Sequence, residues 1–363
     1  MKHGKTMSWT RVAMIMGAVV VAGIAVLLLM PSPIDSVAWE PAPAPPLVGP
    51  LMPNEKLQEA ELIAQGKIRG PEDLAFDAQG RMYTGLEDGR IVRIDGQRID
   101  TMIKLTGGRP LGVQFDAQGN LIVCDAWKGL LCIAPDGKVD VLANAADGIP
   151  FGCTDNLDIA SDEKIYFSDA SSKWHLRDYL LDFLEGRPYG RLLVYDPVTK
   201  HTTTLIKGLY FANGVALSKN EDFVLVAETY RARIQRYWLK GPKSGTTDIF
   251  ADNLPGLPDN IDSDRQGRFW VAMVAIRKAD TDMVVRHAWL KELVAKLPVA
   301  MRPKTPRYGL AIALDESGRI VTSLHDTGGR HLSLITTVLP HRGALYFGSH
   351  ENDRIGRLVP GQR

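Results

Sequence analysis

Four short segments of the sequence place an acidic or amide side chain directly before an apolar run. They are "GPEDLAF", "FGCTDNLDI", "FANGVAL" and "LPDNIDS", at residues 70–76, 151–159, 211–217 and 257–263. The polar positions are Glu72, Asp155 with Asn156, Asn213, and Asp259 with Asn260. Carboxylate and amide oxygens suit a hard cation such as Ca²⁺. None of these positions holds a histidine or cysteine, the residues that would favour zinc or copper. Taken singly, each residue is as well explained as a turn residue, so the fold must decide whether they meet.

Internal repeats predict the elements that would bring these residues together. A run of apolar residues, a polar turn and a short strand recur six times, starting at Leu74, Val113, Leu157, Val215, Ile261 and Val338. A second hairpin pattern, such as "GRIVRIDG", follows each copy. Two hairpins per unit predict an all-β, six-bladed β-propeller. A twelve-strand sandwich is the alternative, but alternation of two hairpin classes favours the propeller. Its inner strands line the axis, where the four segments would converge.

Two segments interrupt the β rhythm and are predicted to form short helical lids. Residues 171–190 contain a helical core at 176–184, and residues 281–301 show apolar residues near helical spacing. Both fall on one end of the propeller, where Trp174 and His175 are expected to line the mouth of the channel. Simple packing on the propeller is the alternative, and a basic amphipathic helix could also rest on a membrane surface.

The N-terminal region predicts a membrane anchor. Residues 1–11 form a basic tail, and residues 12–30 are nineteen uncharged residues, enough for a transmembrane signal-anchor helix. The basic tail is expected to stay cytoplasmic, which puts the domain on the periplasmic or other extracytoplasmic side. A cleaved signal peptide is the alternative. Residues 31–50 are proline-rich and predict a stiff linker to the propeller domain at 51–363.

Charge and cysteine content limit the other classes. The net charge is +1 with no basic block beyond the N-terminus, so nucleic-acid binding is not expected. The three cysteines match neither a zinc pattern nor a disulfide framework. Cys124 and Cys132 could pair across a predicted hairpin, although two small core residues are the simpler reading.

Several long stretches carry a family resemblance. "IYFSDASSKW", "RDYLLDFLEGRPYGRLLVYD", "FVLVAETYRARIQRY" and "PGLPDNI" resemble the calcium-dependent six-bladed hydrolases of the gluconolactonase, paraoxonase and strictosidine synthase-like superfamily. The resemblance extends over nearly the whole chain. It implies a catalytic Ca²⁺ held by Glu72, Asn213 and Asp259, with Asn260 beside them. Asp155 stands where relatives usually have asparagine.

Departures from the family pattern narrow the expected chemistry. Leu111 and Ala126 fall where paraoxonases have a histidine dyad, and residues 331–343 lack the glutamate on which strictosidine synthases depend. The resemblance therefore implies an arylesterase or lactonase acting on a small ester or lactone. Asp259 would be the base, and Leu111 would line the substrate pocket. His325 is a second catalytic candidate, with a structural role as its alternative.

Two other functions remain open at this stage. One is a non-catalytic propeller that binds a ligand or a protein partner and uses calcium only for stability. The other is a condensing enzyme of the strictosidine synthase type, which the missing glutamate disfavours.

Overall fold

The structure, a computed structural model, describes residues 9–105 and 107–361 and contains six four-stranded antiparallel sheets. In each sheet the strands are given from the innermost outward. Blade 1 comprises Leu74–Phe76, Met82–Gly85, Arg90–Asp95 and Arg98–Lys104; blade 2 comprises Pro110–Phe115, Leu121–Asp125, Gly129–Ile133 and Val139–Ala143. Blade 3 comprises Thr154–Ile159, Ile165–Asp169, Gly190–Asp196 and His201–Leu209; blade 4 comprises Ala212–Leu217, Phe223–Glu228, Arg233–Trp238 and Thr247–Ala251. Blade 5 comprises Gly256–Ser263, Arg268–Ile276, Gly309–Asp315 and Ile320–Asp326; blade 6 comprises Ile335–His341, Ala344–Ser349, Ile355–Leu358 and Glu61–Ile63. The predicted six-bladed propeller is confirmed.

Blade 6 closes the ring with strands from both ends of the domain. Glu61–Ile63 is its outer strand and pairs antiparallel with Ile355–Leu358. The sequence pattern identified three strands of this blade but not the fourth, because a three-residue strand carries too little alternation to be recognised. This pairing ties the beginning of the domain to its end.

Turn chemistry explains the regular hairpins between inner and second strands. In blade 1 the Asp77 carboxylate accepts backbone N–H bonds from Gln79 and Arg81, and Gly80 takes a φ of +81°. Asp116 repeats the arrangement in blade 2 with Gln118 and Asn120. An aspartate that accepts local N–H bonds, followed by a left-handed glycine, stabilises a tight turn. The two "DAQG" turns therefore stabilise the hairpins between the inner and second strands of blades 1 and 2.

Among the described residues, four α-helices lie outside the blades: α1 (Trp9–Leu29), α2 (Tyr179–Glu185), α3 (Ala279–Arg286) and α4 (Ala288–Lys296). The smaller elements are 3₁₀ turns at Gly49–Leu51, Lys56–Glu59, Leu176–Asp178, Thr229–Arg231 and Val299–Met301, and a hairpin of Ala145–Ala146 with Ile149–Pro150. Within the described ranges, no helix is both long enough and apolar enough to cross a membrane.

The two predicted lids are helical and pack against each other. One contains α2 and connects the second and third strands of blade 3; the other contains α3 and α4 and connects the same strands of blade 5. Leu184 of α2 and Ala295 of α4 are buried together with Ile34. Because both lids follow second strands, they lie at the same end of the propeller, which we call the lid end.

Residues 34–43, which we call the strap, belong to the predicted proline-rich linker and lie against both lids. The Val37 N–H donates to the Glu185 carbonyl at 2.9 Å, and the Trp39 N–H donates to the Val285 carbonyl at 3.0 Å. The strap therefore joins the end of α2 to α3 by backbone hydrogen bonds.

The cysteines are unpaired in this fold. Cys124, Cys132 and Cys153 are free. Strand register places Cys132 opposite Ile122 rather than opposite Cys124, which faces Leu130. The pairing considered from the sequence does not form, and the simpler reading as core residues is correct.

Candidate metal centre at the lid end of the channel

Three of the four site segments lie at an irregularity where an inner strand begins. The register with the second strand shifts between Thr154 and Leu157, between Ala212 and Val215, and between Pro258 and Ile261. The residues inside these shifts are Asp155 with Asn156, Asn213 with Gly214, and Asp259 with Asn260. A bulge redirects side chains that a regular strand would alternate between its two faces. The same device in three blades explains how polar side chains reach the axis.

Three carboxylates from alternate blades meet at the axis. One oxygen each from Glu72, Asp155 and Asp259 lies within 4.8 Å of the other two. Their side chains belong to blades 1, 3 and 5, and each residue is 6% exposed or less. Asn213 and Asn260 are 4% and 1% exposed. We call these five residues the acidic cluster.

Several polar atoms of the acidic cluster have no hydrogen-bond partner among the described residues. They are one oxygen of Glu72, the amide oxygen of Asn213, and both amide atoms of Asn260. A buried polar atom without a partner costs on the order of 1–3 kcal/mol. Native proteins rarely leave such groups unpaired unless the site has a ligand or a function. The orphaned oxygens are therefore available to a cation.

Electrostatics make the cluster unfavourable without a counter-charge. Burial, followed by repulsion from Asp259 and Asp155, raises the pKa of Glu72 well above its usual range. Burial and repulsion from Asp155 do the same to the pKa of Asp259, while a hydrogen bond from Asn213 opposes the shift. Burial raises the pKa of Asp155 to about 7. Three adjacent buried carboxylates cannot all ionise at neutral pH unless positive charge joins them.

Arg109 supplies one positive charge near the cluster and was missed by sequence reasoning. It is 8% exposed, donates to the Gly70 carbonyl at 3.2 Å, and lowers the pKa values of Glu72 and Asp155. Arg109 directly precedes the inner strand of blade 2. The "RPLG" motif contained the signal, since it occupies the blade position at which four other blades carry an acid or amide.

An apolar layer lies beside this centre. Leu111, Ala126, Cys153, Ala170, Phe211 and Tyr230 form one buried cluster, which we call the apolar collar. The collar joins the first lid, because Tyr230 stacks edge-on against Phe183 at 4.9 Å and donates its hydroxyl to the Tyr179 carbonyl at 2.7 Å. The predicted pocket residue Leu111 thus lies in an apolar wall between the cluster and the lids.

The two lid residues predicted at the mouth occupy different places. The Trp174 indole N–H donates to Glu185 at 2.6 Å, and its ring packs against the buried lid cluster that contains Ile34. His175 Nδ1 lies 2.8 Å from the Gly152 carbonyl, and its ring is 5.5 Å from that of Trp127. Trp174 therefore supports the lid from inside, whereas His175 lies next to the collar.

His325 is not brought to the acidic cluster. It lies on the outer strand of blade 5, three strand spacings or roughly 14 Å from the inner strand. Its ring nitrogens pair with the Tyr308 hydroxyl at 2.9 Å and the Ser323 hydroxyl at 2.8 Å, and burial lowers its pKa. The structure therefore does not bring His325 to the acidic cluster, and its contacts fit the structural alternative.

A second set of acids faces a cavity of about 330 Å³ that runs along the inner strands away from the lid end. This lower cavity is lined by Asp73, Asp158 and Asp262, among others. Protein groups hold each acid: Asp73 by the Val113 N–H at 3.0 Å, Asp158 by the Leu217 N–H at 2.8 Å and Arg265 at 2.6 Å, and Asp262 by the Thr337 hydroxyl at 3.0 Å. Each lower acid thus has a hydrogen-bond partner, whereas one oxygen of Glu72 in the acidic cluster has none among the described residues.

Comparison with known proteins agrees with this architecture. The family model for strictosidine synthase matches residues 155–242, and the model for the strictosidine synthase-like N-terminal region matches residues 49–94. Human adipocyte plasma membrane-associated protein is 38% identical over 355 residues, covering 92% of this chain and 85% of its own length. Strictosidine synthase-like 4 of Arabidopsis thaliana is 34% identical, covering 90% of this chain and 88% of its own.

Solved structures support the fold. A gluconolactonase from Xanthomonas campestris superposes with a TM-score of 0.60 at 17% identity, covering 91% of this chain and 99% of that protein. At this identity the likeness establishes the six-bladed propeller alone. Taken with the sequence relatives, these findings show that the chain belongs to the strictosidine synthase-like family that includes the adipocyte plasma membrane-associated proteins.

Proposed function

We propose that the protein is a calcium-dependent hydrolase of a small ester or lactone, of the arylesterase or lactonase type. The observation that carries the proposal is the acidic cluster, where oxygens of Glu72, Asp155 and Asp259 lie within 4.8 Å of one another beside orphaned amide oxygens. The gluconolactonase fold of a structural neighbour is consistent with this activity.

The residues present fit a divalent hard cation. The cluster offers three carboxylates and the amide oxygens of Asn213 and Asn260, a set typical of calcium sites. Three ionised carboxylates with one divalent cation leave one negative charge, which Arg109 balances. Glu72, Asp155, Asn213, Asp259 and Asn260 would hold the ion.

The chain's own groups can perform the hydrolysis. A bound cation supplies Lewis-acid polarisation of the substrate carbonyl and stabilises charge on its oxygen. Asp259 takes a proton from water as the water oxygen bonds to the carbonyl carbon. The bond to the alkoxy oxygen then breaks, and that oxygen takes the proton back from Asp259. An ester yields an acid and an alcohol, and a lactone yields one hydroxy acid. Asn213 orients Asp259 by a hydrogen bond.

The collar suggests the kind of substrate. Leu111 and Ala126 add no polar group beside the acidic cluster, and Phe211 and Tyr230 stack at 4.5 Å in the same wall. Apolar and aromatic walls bind apolar acyl or aryl groups. We therefore expect phenyl esters and alkyl-substituted lactones to be better substrates than highly hydrated sugars.

The proposal includes a place at a membrane. Residues 12–30 would anchor the protein, residues 1–11 would remain cytoplasmic, and the propeller would face the periplasm or another extracytoplasmic space. Relatives carry the name plasma membrane-associated protein.

Hydrolysis of phenyl acetate and of a substituted lactone by the full chain tests the proposed activity. We expect turnover with calcium, none with excess chelator, and a loss of at least about 100-fold in Asp259→Asn. Glu59→Gln, which changes an exposed carboxylate outside the cluster, is the matched control and should keep full activity.

A binding module is the second candidate, favoured by the burial of the cluster beneath the collar and lids. Calcium binding with no turnover of any ester or lactone would support it and contradict the hydrolase. Condensation of an amine with an aldehyde is disfavoured because residues 331–343 lack an acid.

A further inference from the structure

The second lid exposes large apolar side chains that the fold does not cover. Trp289 on α4 is 66% exposed, and Val299 and Met301 in the following turn are 77% and 67% exposed. We call these three residues the lid face. Single exposed apolar residues are common, but three within thirteen residues on one lid indicate an interaction surface.

The charge around the lid face is concentrated and positive. Residues 286–307 contain six lysines and arginines and one glutamate, a net charge of +5. The whole chain carries only +1, so the remainder is net negative. Lys291 is buried, but Lys304 and Arg307 are exposed. Exposed tryptophan and aliphatic residues bordered by lysine and arginine are typical of surfaces that lie on anionic lipid.

The lid face is continuous with the end of the apolar N-terminal helix. Lys296 Nζ lies 3.5 Å from the Leu28 carbonyl, which places the last turn of α4 against the last turn of α1. Trp289 is seven residues earlier on α4, roughly 10 Å along the helix. Leu28 and Leu29 are themselves 62% and 85% exposed. A lipid surface that meets the end of α1 would therefore also reach the second lid.

We propose that the lid face is a peripheral membrane-binding surface that contacts anionic phospholipid, in addition to the anchor. The inference rests on the proposed membrane placement and extends it from one helix to the lid over the channel. Apolar side chains would enter the interface, and the surrounding lysines and arginines would bind lipid phosphates. The lid end of the channel would then face the lipid.

Fluorescence of a single labelled cysteine in the full-length protein tests the contact. An environment-sensitive fluorophore is placed at Met301→Cys, with Cys132→Ser as background because Cys124 and Cys153 are buried. Val198→Cys is the matched control, since Val198 is 87% exposed in a turn at the end opposite the lids. With phosphatidylcholine–phosphatidylglycerol vesicles, we expect a blue shift and quenching by nitroxide-labelled lipid at Met301 and neither at Val198.

Two further variants separate the lid contact from the anchor. A fluorophore at Met30→Cys reports the end of α1. If the fluorophore at Met30 is quenched while the one at Met301 is as unaffected as the one at Val198, the lid inference is overturned and the anchor stands. No quenching at any position would overturn both.

Lys304→Glu with Arg307→Glu should abolish the additional shift that phosphatidylglycerol causes at Met301, whereas Lys219→Glu should not. If the Met301 fluorophore is already buried without lipid and the protein has twice the mass of one chain, a second copy of the chain covers the lid face. That result would contradict the proposal.

Discussion

The two ends of the central channel carry comparable numbers of acids but treat them differently. At the lid end, Glu72 and two asparagines keep polar atoms without a partner among the described residues. At the lower end, Asp73, Asp158 and Asp262 are held by backbone N–H groups, a guanidinium and a hydroxyl. The partnered acids tie neighbouring blades together, whereas the unpartnered polar atoms of the acidic cluster reduce stability unless a ligand joins them. The contrast separates structural acids from functional ones within one channel.

Asp182 extends the contrast to the first lid and gives the largest expected effect. It is 1% exposed, both its oxygens lack partners in the described structure, and burial raises its pKa to about 7 from 3.8. The Asp182 carboxyl holds its proton more tightly in the folded protein than in the unfolded chain. Its contribution to stability is therefore lost as pH rises from 3.8 to about 7. The loss is on the order of 4 kcal/mol. Urea unfolding of wild type and Asp182→Asn across this range should show the variant gaining with pH; parallel curves would contradict this.

Loss of a partnered lower acid should destabilise the fold. Asp158 bonds the Leu217 N–H at 2.8 Å and Arg265 at 2.6 Å, and thereby joins blades 3, 4 and 5. Asp158→Ala leaves a buried N–H and a guanidinium without their acceptor, so we expect a loss of about 3 kcal/mol in the free energy of unfolding. Chemical denaturation measures it, with the exposed Glu59→Gln as control. A loss below about 0.5 kcal/mol would mean that the lower acids are not structural.

Neutralising an unpartnered acid should have the opposite sign when no metal is present. Glu72→Gln removes a carboxylate whose ionisation is opposed by burial and by three neighbouring acids. In excess chelator we expect Glu72→Gln to increase the free energy of unfolding by about 2 kcal/mol, because residues of a functional site are often unfavourable for stability. The gain should disappear in calcium, where only the wild type is stabilised by binding. A destabilised metal-free variant would contradict the contrast between the two ends.

The smallest effect is expected at the strap. Lys291 is 1% exposed, and its Nζ donates to the Val37 carbonyl at 2.6 Å, yet burial lowers its pKa to about 8. Lys291→Met loses the hydrogen bond but also removes a buried charge, so the net loss is about 1 kcal/mol. Hydrogen exchange at the Val37 and Trp39 amides should accelerate, while exposed Lys219→Met should leave it unchanged. Unaltered exchange would show that the strap does not depend on Lys291.

Sequence alone predicted the parts of this structure that are local and repeated. Six copies of the hairpin pattern identified the blades. Equivalent positions in four of them contain six polar residues, of which five form the acidic cluster and Asn156 instead accepts the Val215 N–H at 2.8 Å. The strap was read only as a spacer, because its contacts to Glu185 and Val285 join residues far apart in the chain. Asp182 was hidden inside a helical segment, where an acid usually faces solvent. His325 was considered because of its residue type, although its predicted outer strand already favoured a structural role.

Calcium binding by a matched pair of variants tests the central claim most directly. Asp259 and Asp262 lie three residues apart on the inner strand of blade 5. Asp259 belongs to the acidic cluster, and Asp262 is one of the lower acids. Isothermal titration calorimetry should show that Asp259→Asn weakens calcium binding by about 100-fold or more, while Asp262→Asn changes it by roughly threefold or less. Equal losses in the two variants, or a wild-type chain that binds no calcium, would contradict the account of the acidic cluster as a metal centre.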